Sequence, residues 1–211
     1  MCRSDGDADK SSRKVGSAAM KKLLLATRNK GKIEEFHRIL EEIAPGEIEL
    51  VGLDQFPDLA DVEETGSTFE ENALLKARQM SAATGLPAIA DDSGLCVDAL
   101  NGAPGIFSAR FAGVHGDDKA NNAKLLRDLE SVPEEKRSAH FTCAAALVLP
   151  DGREHVCEEI FEGSILFAPI GDHGFGYDPL FRPQGFSISS AQMSAEEKDS
   201  ISHRGKSLRA I

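Results

Sequence analysis

Residues 23–36, LLLATRNKGKIEEF, constrain the fold more than any other stretch of this chain. The run of leucines and alanine is typical of a buried strand, whereas Ile33, Phe36 and Leu40 recur at helical spacing. The polar and basic hexapeptide TRNKGK separates the two patterns. The sequence therefore predicts a strand at 22–26 that leads through a short polar loop into a helix at about 30–43.

The hexapeptide is the first candidate binding segment. It consists of Thr27, Arg28, Asn29, Lys30, Gly31 and Lys32. It lacks the G-x-x-x-x-G-K-[ST] pattern and is therefore not a P-loop. A strand end that leads into a helix N-terminus nevertheless presents free backbone N–H groups and positive potential. We interpret the segment as a phosphate seat, and a solvated basic turn is the competing interpretation.

The rest of the chain predicts a mixed α/β sheet. Thr68 and Glu71, like Ser194 and Glu197, have the spacing of a capping box and predict helix starts. The sequence around 150–152, PDG, predicts a hairpin turn. Strands are expected near 48–53, 87–91, 140–149 and 153–161, and helices near 69–83, 117–130 and from 195. Because helices alternate with both crossover and hairpin strands, we predict an α/β fold with a mixed twisted sheet and flanking helices.

Charge and composition narrow the classes of function. The formal net charge is −11, which would repel an extended phosphate backbone, so we predict no nucleic-acid polymer as partner. No apolar run approaches the roughly 20 residues that a membrane span needs, so we predict no membrane partner. The four cysteines form no C-x-x-C pair, which is typical of a reducing, cytoplasmic location.

The first nineteen residues differ from the remainder of the chain. They are small, polar and mixed in charge, and they lack the apolar core of a signal peptide. We predict a disordered leader over 1–19 and one folded domain over 20–211, with Met20 as a second candidate for the true start.

Two acidic pairs form the second candidate cluster. Glu63 and Glu64 precede Gly66, whereas Asp91 and Asp92 directly follow the predicted strand at 87–91 and run into an expected turn with Ser93 and Gly94. Carboxylates at a strand end suit a Mg²⁺ ion that keeps several waters and touches substrate phosphates. The alternative is that Asp91 caps the turn and Glu63 is merely exposed.

The third and fourth clusters lie near the end of the chain. The loop 171–181, GDHGFGYDPLF, offers Phe175 and the single tyrosine of the chain, Tyr177, as stacking surfaces for a base, since the chain has no tryptophan. The segment 193–208 places Lys198 and Ser202 on one helical face, with cationic residues adjoining. A glycine-rich surface turn and a solvated helix are the alternative interpretations.

Together, the four clusters match the parts of one ligand. A nucleoside triphosphate needs a phosphate cradle, a divalent metal, cations along the phosphate chain and a flat surface for the base. Each cluster supplies one of these parts.

The chain also resembles the inosine triphosphate pyrophosphatase family, whose bacterial members are the dITP/XTP pyrophosphatases. The resemblance covers about residues 21–208. Its motifs occur in the same order, ATRNKGK, EETGSTFEENALLKA, ADDSGL with GAPGIFSARFAG, GFGYDPLF and SAEEKDSISHRGKSL. It implies two lobes around a central cleft, a homodimer, and Mg²⁺-dependent hydrolysis of dITP, ITP and XTP to the monophosphate and pyrophosphate, which clears deaminated purines from the nucleotide pool.

The resemblance also implies roles for individual residues. The hexapeptide binds the triphosphate, Asp92 is the catalytic carboxylate and a magnesium ligand, and Glu63 is the second ligand. The other substrate-binding residues that it implies are Ser93, Phe175, Gly176, Tyr177, Asp178, Lys198, His203 and Arg204. Asp199 departs from the uncharged residue expected there and would slightly weaken the positive field at Lys198.

Two alternatives stay open at this point. One is a pyrophosphatase that acts on other modified nucleotides. The other is a non-catalytic nucleotide-binding or regulatory module, which the joint presence of Glu63, Asp92 and Lys32 disfavours because binding alone does not require metal carboxylates.

Overall fold

The computed structural model describes residues 20–211, and the predicted leader at 1–19 lies outside the described residues. The strands of this part are β1 (Lys21–Leu25), β2 (Ile48–Val51), β3 (Ala88–Val97), β4 (Ser138–Val148), β5 (Glu154–Ile165) and β6 (Phe181–Pro183). Its α-helices are α1 (Lys30–Ile43), α2 (Phe69–Thr84), α3 (Asp118–Asp128), α4 (Ala195–Ile201) and α5 (His203–Ala210). None of the helices in residues 20–211 combines the length and the apolar character that crossing a membrane requires.

The strands form one mixed sheet in the order β2-β1-β3-β4-β5-β6. β1 pairs in parallel with β2 and β3, whereas β3, β4, β5 and β6 pair antiparallel in succession. The predicted fold class, a mixed sheet with flanking helices, is therefore confirmed. The arrangement of two lobes around the cleft stays a prediction.

Helices cover both faces of the sheet. Successive side chains of a strand point to opposite faces, and β1 shows the consequence, since Leu24 packs in the cluster that contains α2 while Leu23 and Leu25 pack with α1. α1 has the predicted bounds because Asn29 caps it, with its side-chain oxygen accepting from the backbone N–H of Lys32 at 3.1 Å. These faces anchor the polar loop between β1 and α1.

The predicted acidic turn at 91–94 is wrong. Asp91, Asp92, Ser93 and Gly94 lie inside β3, which continues to Val97 and is paired with β4 throughout. Glycine suggested a turn, but Gly94 is needed for a different reason. A Cβ there would lie 2.3 Å from the carbonyl oxygen of Gly105, so the glycine lets a neighbouring loop approach the strand.

Two details of the predicted helices also differ. The segment near 195–208 is not one helix, because Ser202 ends α4 and caps α5 by accepting from the N–H of Gly205 at 3.1 Å. Lys198 and Ser202 are therefore not neighbours on a continuous helical face. In α3, Leu125 is buried, whereas Ala123 is exposed, although its apolar side chain predicts an inward position.

Candidate active site

A cleft of about 960 Å³ collects residues from distant segments of the chain. Every residue that the sequence analysis assigned to the site lines it, including the whole hexapeptide. The lining residues come from the β1–α1 loop, the 61–64 segment, β3, the 105–118 segment, the 175–178 loop and the starts of α4 and α5. The roles of these residues stay predictions. That they line one cleft is a feature of the structure.

The hexapeptide divides into cations with different partners. Arg28 donates to Asp61 at 2.7 Å and to the carbonyl of Leu59 at 3.0 Å, so it ties the loop before α2 to the cleft. Lys32 reaches inward and forms an ion pair with Asp91 at 3.0 Å. Lys30 is exposed. The hexapeptide therefore combines one cation that is paired in the interior, Lys32, with two exposed ones, Arg28 and Lys30.

Asp92 lies in β3 beside α2. One of its oxygens accepts from Lys76 Nζ at 3.2 Å and the other from Asn72 Nδ2 at 3.1 Å. Burial raises the pKa of the Asp92 carboxyl, and the charges of Lys76 and Lys32 offset only part of this effect. A carboxylate with a raised pKa is suited to accept a proton near neutral pH.

Lys76 joins Asp92 to a second carboxylate. Its ammonium lies 2.8 Å from Glu64, which Arg110 also contacts at 3.4 Å. Burial acts to lower the pKa of Lys76, but the negative charges of Asp92 and Glu64 outweigh it, so the ammonium stays charged. The side of β3 that carries Asp92 thus holds two carboxylates and a charged lysine between them.

Asp91 lies on the opposite face of the same strand. Its Oδ2 atom accepts from Lys32 at 3.0 Å and from Arg204 at 2.9 Å. Burial acts to raise the pKa of this carboxyl, but the two cations outweigh it and hold the pKa well below its usual range. Arg204 also donates to Ser93 Oγ at 2.8 Å, so one guanidinium links two residues of β3.

Glu35, a residue of α1, connects Arg204 with Lys198. It accepts from Lys198 Nζ at 2.9 Å and forms an ion pair with Arg204. Lys198 in turn contacts Asp178 at 2.5 Å. Burial acts to raise the pKa of Glu35, but the charges of Arg204 and Lys198 lower it to about 2. The result is a buried network of alternating charges below the cleft.

Asp199 belongs to a separate ion pair. Its carboxylate accepts from Arg38 of α1 at 2.6 Å, so the charge of Arg38 balances that of Asp199. The positive charge of Lys198 is instead balanced by Asp178 and Glu35, whose carboxylate oxygens contact its ammonium directly.

Phe175 covers the start of α1. A Cβ at Gly31 would lie 2.4 Å from the Phe175 ring, so glycine is required for this contact. Lys198 Nζ lies 5.0 Å from the ring centroid, which is within cation–π range. Tyr177 is different, because it is buried and donates its hydroxyl to the carbonyl of Ser108 at 2.9 Å. Of the two aromatic candidates, Phe175 is the half-buried ring that faces the cleft and Tyr177 anchors the loop.

His203 starts α5 in a buried position. Its ring stacks on Phe141 with centroids 4.9 Å apart. Burial lowers its pKa well below the usual value, and the charge of Arg204 adds to the effect, so the imidazole is neutral at pH 7. Within residues 20–211 its buried Nδ1 has no hydrogen-bond partner. A neutral imidazole has one donor and one acceptor nitrogen, and His203 lines the cleft, so its ring can hydrogen-bond a polar group of a ligand there.

The donor set of the cleft fits a hard cation. Magnesium is bound through one or two carboxylates together with waters and substrate phosphates. Glu63 and Asp92 both line the cleft, and Glu63 is exposed there, so its oxygens are accessible. The described residues contain no group of three or more potential protein ligands, which is consistent with an ion held mainly by substrate and water.

Sequence reasoning missed four residues of this site. Glu35, Asn72, Lys76 and Arg110 were not assigned, although Lys76 and Arg110 line the cleft. A usable signal existed in two cases, because Lys32 and Glu35, and likewise Asn72 and Lys76, share a helical face at the spacing of one turn.

Comparison with known proteins identifies the family. A profile described as the Ham1 family matches residues 23–211. The dITP/XTP pyrophosphatase of Streptomyces coelicolor is 57% identical over 192 residues, which cover 91% of this chain and 96% of that protein. The dITP/XTP pyrophosphatase of Nocardia farcinica is 53% identical, with 91% and 93% covered.

Solved structures agree with this match. The crystal structure of the nucleoside-triphosphatase / dITP/XTP pyrophosphatase from Mycobacterium abscessus aligns with a TM-score of 0.72 and 51% sequence identity. The alignment covers 90% of this chain and 96% of that one. A HAM1 protein from Coxiella burnetii is 41% identical with a TM-score of 0.80, and the corresponding coverage is 90% and 96%. The resemblance inferred from the motifs is confirmed, and the chain belongs to the Ham1 family.

Proposed function

We propose that this protein hydrolyses dITP, ITP and XTP to the monophosphate and pyrophosphate, with Mg²⁺ as cofactor, and so clears deaminated purines from the nucleotide pool. The prediction that it is a nucleoside triphosphate pyrophosphatase is confirmed by its relatives, which are named dITP/XTP pyrophosphatases. The observation that carries the substrate proposal is the single cleft that holds Asp92, the hexapeptide and the neutral His203 together.

Asp92 is the proton acceptor in this proposal. A water molecule attacks the α-phosphorus, its proton passes to Asp92, and the bond between the α-phosphorus and the bridging oxygen breaks as pyrophosphate leaves. The raised pKa of Asp92 favours this transfer, and Asn72 and Lys76 hold the carboxylate in place. Bound magnesium, held by Glu63 and Asp92, would supply charge stabilisation for the phosphate oxygens.

The cations of the cleft stabilise the charge that develops on pyrophosphate. Lys32 and Lys76 lie on the two sides of β3, in contact with Asp91 and Asp92 respectively. Because they are held by ion pairs before substrate arrives, little reorganisation is needed as negative charge grows. Asp178 and Glu35 hold Lys198 beside the Phe175 ring. In this position Lys198 would contact the base as well as the phosphates.

Base selection follows from hydrogen bonding. Hypoxanthine and xanthine carry a 6-oxo group and a protonated N1, whereas adenine carries a 6-amino group. The guanidinium of Arg204 is a hydrogen-bond donor, so a 6-oxo acceptor is satisfied there, whereas a 6-amino donor is not. A site that hydrogen-bonds a substrate group rejects analogues that lack it by about 10⁴-fold or more.

The test is pyrophosphate release from ITP, XTP, GTP and ATP, with and without Mg²⁺. We expect metal-dependent release from ITP and XTP and little from ATP. Equal turnover of ATP and ITP would contradict the proposed base selection, and preferred turnover of another modified nucleotide would support the first alternative. Nucleotide binding without release from any of the four would assign the protein to the non-catalytic class.

Two further parts of the proposal are a homodimer, which the family resemblance implies, and a cytoplasmic location, which the cysteine pattern favours. Phe107 and Val114, which are 55% and 66% exposed, lie in the loop region beside the cleft and offer apolar surface to a second copy. Light scattering of the purified chain tests the dimer, and a mass of one chain would contradict it.

A further inference from the structure

Two adjacent asparagines of α3 hold the two loops that flank the cleft. Asn121 accepts from the N–H of Ala112 at 2.7 Å and donates to the carbonyl of Ala109 at 3.3 Å, on the two sides of Arg110. Asn122 instead donates to the carbonyl of Gly176 at 2.9 Å. Neighbouring residues of a helix point in different directions, so one helix contacts both loops at once.

Asp118 completes the contact with Gly176. Its Oδ2 atom accepts from the N–H of Gly176 at 2.8 Å. Asp118 and Asn122 are four residues apart and therefore share a face of α3. Together they satisfy both backbone polar groups of Gly176, one with an acceptor and the other with a donor. Asp118 is not the cap of the helix, since Asp117 accepts from the N–H of Ala120.

Gly176 lies between the two aromatic residues of its loop. Its φ of +61° is a conformation that glycine adopts readily. On one side Tyr177 is tied to the carbonyl of Ser108, and on the other the N–H of Phe175 donates to Asp178 at 2.9 Å. Phe175 projects from this loop toward α1, where its ring lies against Gly31, so the placement of the ring depends on the backbone at Gly176.

We propose that Asp118 and Asn122 are positioning residues for base specificity, which act by fixing the backbone at Gly176 and thereby the plane of the Phe175 ring. The inference rests on the proposed function, in which Phe175 stacks on the purine. A base that stacks on a fixed ring presents its 6-oxo edge to Arg204 and His203 in one geometry. If the ring is free to shift, bases with other edges are accommodated too, and discrimination falls.

Isosteric substitutions separate this role from a general contribution to stability. Asp118→Asn keeps an acceptor for the N–H of Gly176, whereas Asp118→Ala removes it, and Asp118 is exposed so that both variants should fold. Asn122→Asp replaces the donor with a negative acceptor that faces the Gly176 carbonyl. The matched control is Asp128→Asn at the other end of α3, which breaks only the exposed pair with Lys124.

The experiment measures kcat and KM of each variant for ITP and ATP. We expect Asp118→Ala and Asn122→Asp to lower kcat/KM for ITP by about 10- to 100-fold and to lower the ITP:ATP ratio of kcat/KM about tenfold. Asp118→Asn should stay within about threefold of the wild type, as should the control. Because Tyr177 is the single tyrosine of a chain without tryptophan, its emission reports the loop directly and should change in the same two variants.

The outcomes are distinguishable. An unchanged ITP:ATP ratio in Asp118→Ala and Asn122→Asp would overturn the inference, even if both rates fell together, because a merely structural role lowers both alike. A wild-type protein that releases no pyrophosphate from ITP would overturn the proposed function itself. If Asn122→Asp does not fold, the result for Asp118→Ala tests the inference. Asp118→Asn, which keeps the acceptor, should then behave like the wild type.

Discussion

Asp91 and Asp92 are neighbours on one strand, but they have opposite electrostatic environments. Asp91 faces Lys32 and Arg204, and its pKa is held far below the usual range. Asp92 faces a single lysine and an amide on the other side of β3, and burial raises its pKa. Both carboxyls are buried, so burial alone does not determine the shift. The number of cations that contact each carboxylate decides whether it stays charged or is able to accept a proton.

The two sides of β3 therefore serve different purposes. On the Asp91 side, Glu35 and Asp178 balance Lys198 and Arg204 in a network that is almost fully enclosed. Buried charges of this kind are strongly destabilising when one partner is removed. Arg204 and Lys198 of this network also line the cleft, as do Asp92 and Lys76 on the other side of β3. We expect loss of the buried carboxylates Asp91 or Glu35 to lower stability and loss of Asp92 to lower activity.

The largest expected effect is that of Asp92→Asn on catalysis. The substitution removes the proton acceptor and keeps the shape, so kcat for ITP should fall by about 10²- to 10⁴-fold. Pyrophosphate release measured against wild type gives the value. Near-normal activity of Asp92→Asn would remove Asp92 from the catalytic role.

Asp91→Asn should act mainly on stability. It leaves Lys32 and Arg204 without their shared carboxylate, and the free energy of unfolding should fall by about 3–5 kcal/mol. Urea unfolding followed by circular dichroism measures this change. Asp92→Asn is the matched control and should change the free energy of unfolding by only about 1 kcal/mol. Similar losses of stability in the two variants would show that the two sides of β3 do not differ as described.

The dependence of stability on pH provides a third test. The pKa of Glu35 is about 2 in the folded protein, compared with 4.5 for the free side chain. A lowered folded pKa stabilises the protein above the unfolded pKa, and this contribution is lost as pH falls from about 4.5 to about 2. Glu35→Gln should therefore remove about 2–3 kcal/mol of the acid-dependent loss of stability seen in wild type.

The control for Glu35 is Glu42→Gln. Glu42 is an exposed carboxylate of the same helix that pairs with Arg209 at 2.6 Å, and exposed pairs contribute little. Unfolding measured between neutral and acidic pH should give nearly the same curve for Glu42→Gln and wild type. A curve for Glu35→Gln that also matched wild type would mean that the buried network does not keep Glu35 charged.

The smallest expected effect is that of Gly31→Ala at the rim between the two sides. The added Cβ must displace the Phe175 ring, so kcat/KM for ITP should fall by about tenfold. Helix propensity should meanwhile favour alanine by up to about 1 kcal/mol. In a Phe175→Leu background the same substitution should have a smaller effect, because the ring is absent. Equal effects in both backgrounds would rule out the clash as the cause.

Much of the fold was predictable from local patterns. The strand–loop–helix opening, the capping residues Thr68 and Ser194, and the hairpin around residues 150–152 all occur where expected. The errors had specific causes. Gly94 was interpreted as a turn residue, although it makes room for a loop that is distant in sequence, and Ser202 was placed inside a helix, although its side chain caps a new one.

The sequence by itself determined the family, because the motifs and their order identify it, and it predicted which residues would meet a nucleotide. Only the tertiary structure decided how these groups pair. Lys32 and Arg204 are 172 positions apart in the sequence (204 − 32), and yet both form ion pairs with Asp91. The pKa of a buried carboxyl depends on charges within a few ångströms, and chain folding rather than spacing brings those charges together. The contrast between Asp91 and Asp92 is for that reason a property of the fold.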